Sequence, residues 1–229
     1  MMADTPSFGA RKEDKSILDS FEQKFLKQLL PLIPRSVETY HLTLLSLVWC
    51  LLSVFSGFLA KGDLSWLWLM NGAILGHYIT DFFDGLVGRV RNTGLVRWGF
   101  YMDHLFDYLF LCSILIGYAF ITPYEYKYIL FFTLSICGGF LAHSFLYFGA
   151  TGKFKITFLE IGPSEIRVLF ILINLLLIFF GKVIFISMLP YVFILCLLGF
   201  IIVVFRTAIE LWKLDMKIKN SPPTSKKDV

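Results

Sequence analysis

The chain has 229 residues, of which 57% are hydrophobic and 25 are Phe, and its mean hydropathy is +0.71. That composition lies well above ordinary globular usage and argues against a soluble domain. The net charge of +4 comes without a basic and aromatic nucleic-acid module, so membrane topology and attraction to anionic headgroups account for it and no nucleic-acid partner is expected.

From Asp14 to Leu30, apolar residues (Ile17, Leu18, Phe21, Phe25, Leu26, Leu29, Leu30) recur at helical spacing between charged ones, which predicts an amphipathic helix. It ends at Pro31 and Pro34 and is expected either to lie in the membrane interface or to pack on the helices that follow. The first long apolar run begins only at Leu42, behind this charged leader, so no cleavable signal peptide is expected and the N-terminus is read as retained.

A membrane-spanning helix needs about 20 predominantly apolar residues, a length that soluble core helices rarely sustain. Such runs predict six spans: Leu42 to Ala60, Leu64 to about Asp84, Asp103 to Ile121, Tyr128 to Phe148, Gly162 to Phe180 and Ile184 to Phe205. The expected fold is all-α integral membrane, six transmembrane helices preceded by an N-terminal interfacial amphipathic helix. Its parts are a leader over 1–41, a six-helix membrane domain over 42–206 and a tail over 207–229. From about Asn220 the tail, with Ser221-Pro222-Pro223-Thr224-Ser225 and two lysines, is too polar to pack and is expected to be disordered.

Orientation follows from the bias of Lys and Arg toward the cytoplasmic side. With both termini inside, only Lys61, Lys127 and Lys182 fall outside, and the other 18 of the 21 basic residues lie on the cytoplasmic side. Cys50, Cys112, Cys137 and Cys196 are scattered singly through apolar runs with no ligand-like spacing, so packing is their expected role.

The second span ends in Asp81-Phe82-Phe83-Asp84-Gly85-Leu86-Val87-Gly88-Arg89, and the third opens with Gly99-Phe100-Tyr101-Met102-Asp103-His104-Leu105-Phe106-Asp107. On a helix, Asp81, Asp84, Gly85 and Gly88 form one stripe, as do Gly99, Asp103 and Asp107. The two helices are joined by a short connection, so they run antiparallel and can bring four carboxylates together. An ionised carboxylate deep in a membrane helix costs roughly 2.5 to 3.5 kcal/mol on insertion scales, and mutual repulsion adds to it. Arg89 can pair with one carboxylate but not four, whereas one or two divalent cations would neutralise the cluster. Oxygen-only ligation selects Mg2+ or Mn2+. Glycines at 85, 88 and 99 leave room for a phosphate-bearing group beside the backbone, or for close helix packing.

These residues resemble the CDP-alcohol phosphotransferase signature, Asp-x-x-Asp-Gly-x-x-Ala-Arg, then eight or nine residues, then Gly-x-x-x-Asp-x-x-x-Asp. Gly88 stands at the Ala position, a small-for-small change, and the gap from Val90 to Trp98 is nine. Seven matching positions arise by chance on the order of one time in 10^8 per starting point. The resemblance implies an enzyme of phospholipid biosynthesis that moves a substituted phosphate from a CDP-linked donor to an acceptor hydroxyl and releases CMP. One of the two substrates is normally a lipid, either CDP-diacylglycerol as donor or a diacylglycerol accepting from a CDP-amino alcohol. It also implies that Asp81, Asp84, Asp103 and Asp107 hold two metal ions, that Asp107 is the catalytic base, and that Gly85, Gly88, Arg89 and Gly99 line the nucleotide pocket. Homodimerisation is implied in the same way. Of the family's Pro-Asn-x-x-Thr pattern near the first span only Thr43 remains, so no nucleotide contact is carried over to that region.

Arg167, in Ile161-Gly162-Pro163-Ser164-Glu165-Ile166-Arg167, falls at a predicted helix start, where a guanidinium can hold a lipid phosphate. Lys153 and Lys155 either share that pocket or reflect topology alone. His77 and His104 lie beside the aspartates; packing is the expected role for both, and for His143, with support of bound metals the alternative. Two rival functions exist: a carboxylate-lined cation transporter or channel, and a non-catalytic scaffold that keeps the fold.

Overall fold

The computed structural model describes residues 33–34, 36–91, 95–155 and 162–220, apart from the Arg89 side chain. The predicted amphipathic helix over 14–30 and the end of the tail lie outside the described residues. Among the described residues there are six helices, two short 3-10 turns and no strand. The helices are α1 (Thr39–Leu59), α2 (Leu67–Arg91), α3 (Val96–Ile121), α4 (Lys127–Thr151), α5 (Pro163–Phe180) and α6 (Lys182–Asn220).

Each predicted span has its helix. Five helices are long and apolar enough to cross a membrane, and α2 is not among them. At about 37 Å it is long enough. Asn71, His77, Asp81 and Asp84, all within it, make it too polar to qualify by composition. It is nonetheless part of the bundle: α1 packs against both α2 and α3, α2 against α5, α5 against α6, α6 against α4, and α4 against α3. The helices thus close into a ring. Direct contact between α2 and α3 is sparse, because α1 lies along both.

The close fit of α1 comes from a stripe of small residues, Ser46, Cys50, Ser53, Ser56 and Gly57, all buried. In a bilayer the apolar effect does not press helices together, so small residues that let backbones approach take that role. At Gly57 the approach is tight: an added Cβ would stand 2.3 Å from the Gly117 Cα on α3. Ser53 and Ser56 spend their hydroxyls on the carbonyls of Trp49 and Trp66, at 2.9 and 2.7 Å, and so are buried with partners.

Bulky apolar side chains such as Leu51, Leu146 and Leu195 point outward, the reverse of a soluble protein and the arrangement lipid calls for. Between α1 and α2 the turn Leu64–Trp66 is started by Asp63, which accepts from the Ser65 N–H at 2.9 Å and its hydroxyl at 2.6 Å. These bonds hold the Asp63 carboxyl below the usual carboxylate range. Gly181, at φ 79°, makes the one-residue turn between α5 and α6 in a conformation that only glycine adopts without strain.

Helix α6 is longer than its predicted span. It runs 39 residues, about 58 Å, through Pro190 and on to Asn220, beyond the apolar run that ends at Phe205. A hydrocarbon core of about 30 Å leaves its charged last turns outside. Asn174 of α5 is fully buried, donating to Asn71 Oδ1 of α2 at 2.8 Å and accepting from the Tyr118 hydroxyl of α3 at 2.9 Å. One amide therefore ties three helices together.

Candidate active site

Three helices deliver the charged residues. Asp81 and Asp84 sit in the second half of α2, Gly99, Asp103 and Asp107 in the first half of α3, and Arg167 one turn into α5. The start of α5 is fixed locally: Pro163 occupies the first turn, where its missing N–H costs nothing, and the Glu165 carboxylate accepts from the Gly162 N–H at 2.8 Å.

Asp81, Asp103 and Asp107 each offer a carboxylate oxygen, and these atoms lie within 4.8 Å of one another. Asp84 is buried one turn further along and turned toward α1, where the Thr43 hydroxyl donates to its Oδ2 and also reaches the Thr39 carbonyl at 3.1 Å. The expected convergence thus brings three carboxylates to one point and places the fourth against Thr43. Gly99 faces open space: a Cβ there meets nothing within 4 Å, so close helix packing is not its reason. Gly85 is exposed and Gly88 half-buried on the α2 stripe. The Arg89 side chain lies outside the described residues.

Arg167 reaches across from α5 into the cluster. Its Nη2 donates to Asp81 Oδ2 at 2.7 Å and to Asp107 Oδ1 at 2.8 Å, with the guanidinium side chain only 11% exposed. The same nitrogen lies 3.5 Å from His77 Nδ1. His77 is buried and its ring stacks on Phe110 at 3.9 Å, while its Nε2 has no hydrogen-bond partner among the described residues. His104 pairs Nδ1 with the Phe100 carbonyl at 2.7 Å among Phe100, Phe145 and Phe154, and His143 joins α4 to α6 through Thr207 at 3.2 Å. Those two histidines pack helices together.

The residues fit a hard cation. Three carboxylates supply oxygen donors alone, and a positive nitrogen of the chain itself already bridges two of them, standing in for an ion. Beside this cluster opens a cavity of about 500 Å³ between α3, α4, α5 and α6, with Asp107 and Arg167 on its wall and otherwise mainly apolar side chains, among them Phe110, Leu115, Phe170 and Leu189.

Among known families, the model for CDP-alcohol phosphatidyltransferases matches residues 39–212, most of the chain. The chain belongs to the CDP-alcohol phosphatidyltransferase family. No curated protein and no solved structure matches it.

Membership makes the chain a multi-pass membrane transferase of phospholipid biosynthesis, acting on a CDP-alcohol donor and an alcohol acceptor, in a family that generally uses a divalent metal. The matched segment runs from the first residue of α1 to Trp212 of α6, so the whole helix ring belongs to the CDP-alcohol phosphatidyltransferase unit. Besides the Arg167 bridge, the contacts of Thr43 and Arg91 were not readable from the motif. Thr43 had been the remnant of a pattern, with no sign that it holds Asp84. Arg91, two residues past the first half of the motif, donates to the carbonyls of Ile33, Pro34 and Val37 and so fastens the stretch before α1 to the end of α2.

Proposed function

We propose that the chain transfers a substituted phosphate from a CDP-linked donor to an acceptor hydroxyl, with release of CMP, at the meeting point of Asp81, Asp103, Asp107 and Arg167. The observation that carries this reading is the junction itself: a carboxylate cluster fit for hard cations opens onto an apolar cavity large enough for part of a lipid. A purely polar substrate pair would leave that cavity without a purpose.

Asp81, Asp84 and Asp103 hold the metal ions, two Mg2+ or Mn2+, with Asp107 also in reach of them. Bound there, such ions supply charge neutralisation at the phosphorus and at the departing phosphate. Asp107 takes the proton of the acceptor hydroxyl. The acceptor oxygen then forms a bond to the phosphorus that carries the donor's alcohol, the pyrophosphate P–O bond breaks, and CMP leaves with that electron pair. Gly85, Gly88, Arg89 and Gly99 flank the nucleotide, and the open space at Gly99 suits close approach of a phosphate. Arg167, on the wall of the cavity, meets the phosphate of the lipid partner.

The six helices are proposed as six spans, α2 included because its polar residues have partners inside the ring. The bias of Lys and Arg supports a cytoplasmic site and cytoplasmic termini. The family match lends the cation-transporter reading no support. Purified protein with either CDP-diacylglycerol or a CDP-amino alcohol, Mg2+ or Mn2+, and a panel of acceptors (inositol phosphate, glycerol phosphate, serine, diacylglycerol) tests the proposal by CMP release. Metal-dependent CMP release with one pairing is expected. Ion flux in liposomes with no CMP from any pairing refutes it.

A further inference from the structure

The cluster is already bridged from within. A single nitrogen, Arg167 Nη2, lies 2.7 Å from one carboxylate oxygen of Asp81 and 2.8 Å from one of Asp107, and these two residues belong to the same group of three whose oxygens converge within 4.8 Å. No backbone neighbourhood brings them together: Arg167 is 86 residues from Asp81 and 60 from Asp107 in sequence. The pairing joins α5 to both α2 and α3 at the point where carboxylate repulsion would otherwise push those helices apart.

We infer that Arg167 is a built-in counter-cation of the cluster: its guanidinium holds Asp81 and Asp107 together in the metal-free protein, and a divalent ion that binds the cluster displaces it. The inference rests on the reading of the three carboxylates as a metal site. Its physical basis is that Arg167 Nη2 takes up carboxylate oxygens of Asp81 and Asp107, two of the three residues that would hold an ion, so the ion and the guanidinium would compete for them. With both present, a doubly charged ion would stand in near contact with a guanidinium in a poorly solvated place, and like charges so close do not share a site without strong mutual repulsion. Arg167 therefore competes with metal rather than helping to hold it. The competition has a use, because a site that neutralises itself keeps the bundle closed without metal. The displaced guanidinium remains on the cavity wall beside Asp107, where an incoming phosphate replaces its lost partners.

The test is Mn2+ binding to the purified full chain in detergent, stripped with EDTA and free of nucleotide, followed by the EPR signal of free Mn2+. Thermal melting is recorded with and without Mn2+. Arg167→Gln removes the competing charge and is expected to bind Mn2+ at least about tenfold more tightly than wild type, the low end of what one adjacent charge does to a cation's affinity. It is also expected to melt lower than wild type in EDTA and to gain more on adding Mn2+. Arg167→Lys, which keeps the charge but not the planar fork, is expected to fall between the two in Mn2+ affinity and carries the test if Arg167→Gln cannot be purified. Equal or weaker Mn2+ binding by these variants, with wild type binding normally, overturns the counter-cation role and leaves the metal site standing. No Mn2+ binding by any of the three proteins overturns the metal reading and this inference with it.

Discussion

Replacing Thr43 by Val keeps the outline of the side chain and removes one hydroxyl, the one that donates to Asp84. Asp84 is 7% exposed, so water makes a poor replacement partner. A hydrogen bond to a charged group contributes about 1.5 to 3 kcal/mol. If that sum is what orients Asp84 toward an ion, its loss weakens metal binding by roughly 10- to 150-fold, at about 1.4 kcal/mol per factor of ten. Groups that orient a metal ligand typically account for about 10- to 100-fold in affinity, so two separate lines of reasoning reach the same range. The assay is CMP release by the purified enzyme across a Mn2+ series, with the half-saturating concentration as the readout. Thr43→Val should raise it by at least about tenfold, with most of the maximal rate recovered at high Mn2+. Thr43→Ser, which restores the hydroxyl, should stay near wild type. A Thr43→Val enzyme with the wild-type half-saturation would refute the argument, because Asp84 would then need no help from α1 to take its place.

Asp107→Asn should lower CMP release by about 10²- to 10⁴-fold while leaving the protein folded and able to bind cytidine nucleotides; unchanged turnover would remove Asp107 from the role of base. The two glycines at 57 and 99 should behave oppositely. Gly57→Ala drives a Cβ to 2.3 Å from Gly117 and should cost about 1 to 3 kcal/mol, seen as a lower melting temperature in detergent. Gly99→Ala meets nothing within 4 Å and should leave melting unchanged but raise the KM for the CDP-linked donor. Asn174→Leu deletes hydrogen bonds to Asn71 and Tyr118 and should destabilise the bundle by about 0.6 kcal/mol per bond, at most about 1.7. Melting equal to wild type would show that this three-helix tie contributes nothing.

The helices were legible because bilayer thickness, not subtle packing, decides how long an apolar run must be. Their ends were not. Helix α3 starts at Val96 rather than Asp103, and α6 passes through Arg206, Glu210 and Lys213 to Asn220, because leaving the hydrocarbon ends the apolar pattern without ending backbone hydrogen bonding. Residues such as Arg, Glu and Lys propagate a helix well in water. The aspartate cluster was legible for another reason: spacings of three and four put side chains on one face whatever the neighbours do. What periodicity does not encode is a partner from a distant helix. Thr43 meets Asp84 across 41 residues and Arg167 meets Asp81 across 86, and neither separation leaves a trace in local pattern.

Those distant partners explain how α2, the long helix least suited to lipid by composition, packs into the ring. Each polar side chain that makes α2 too hydrophilic to qualify as a span is met from another helix: Asn71 by Asn174 of α5, His77 by Phe110 of α3 and Arg167 of α5, Asp81 by Arg167, and Asp84 by Thr43 of α1. Asp81, Asp84 and Arg167, all in the proposed site, are thus among the groups that join the ring. It follows that α2 owes its place to its neighbours, since an isolated helix with two carboxylates and an imidazole inserts poorly. Loss of α1 or α5 contacts should therefore disturb the site before it disturbs the lipid-facing surface, because among the described residues Thr43 and Arg167, the partners of the cluster's carboxylates from outside α2 and α3, lie on those two helices.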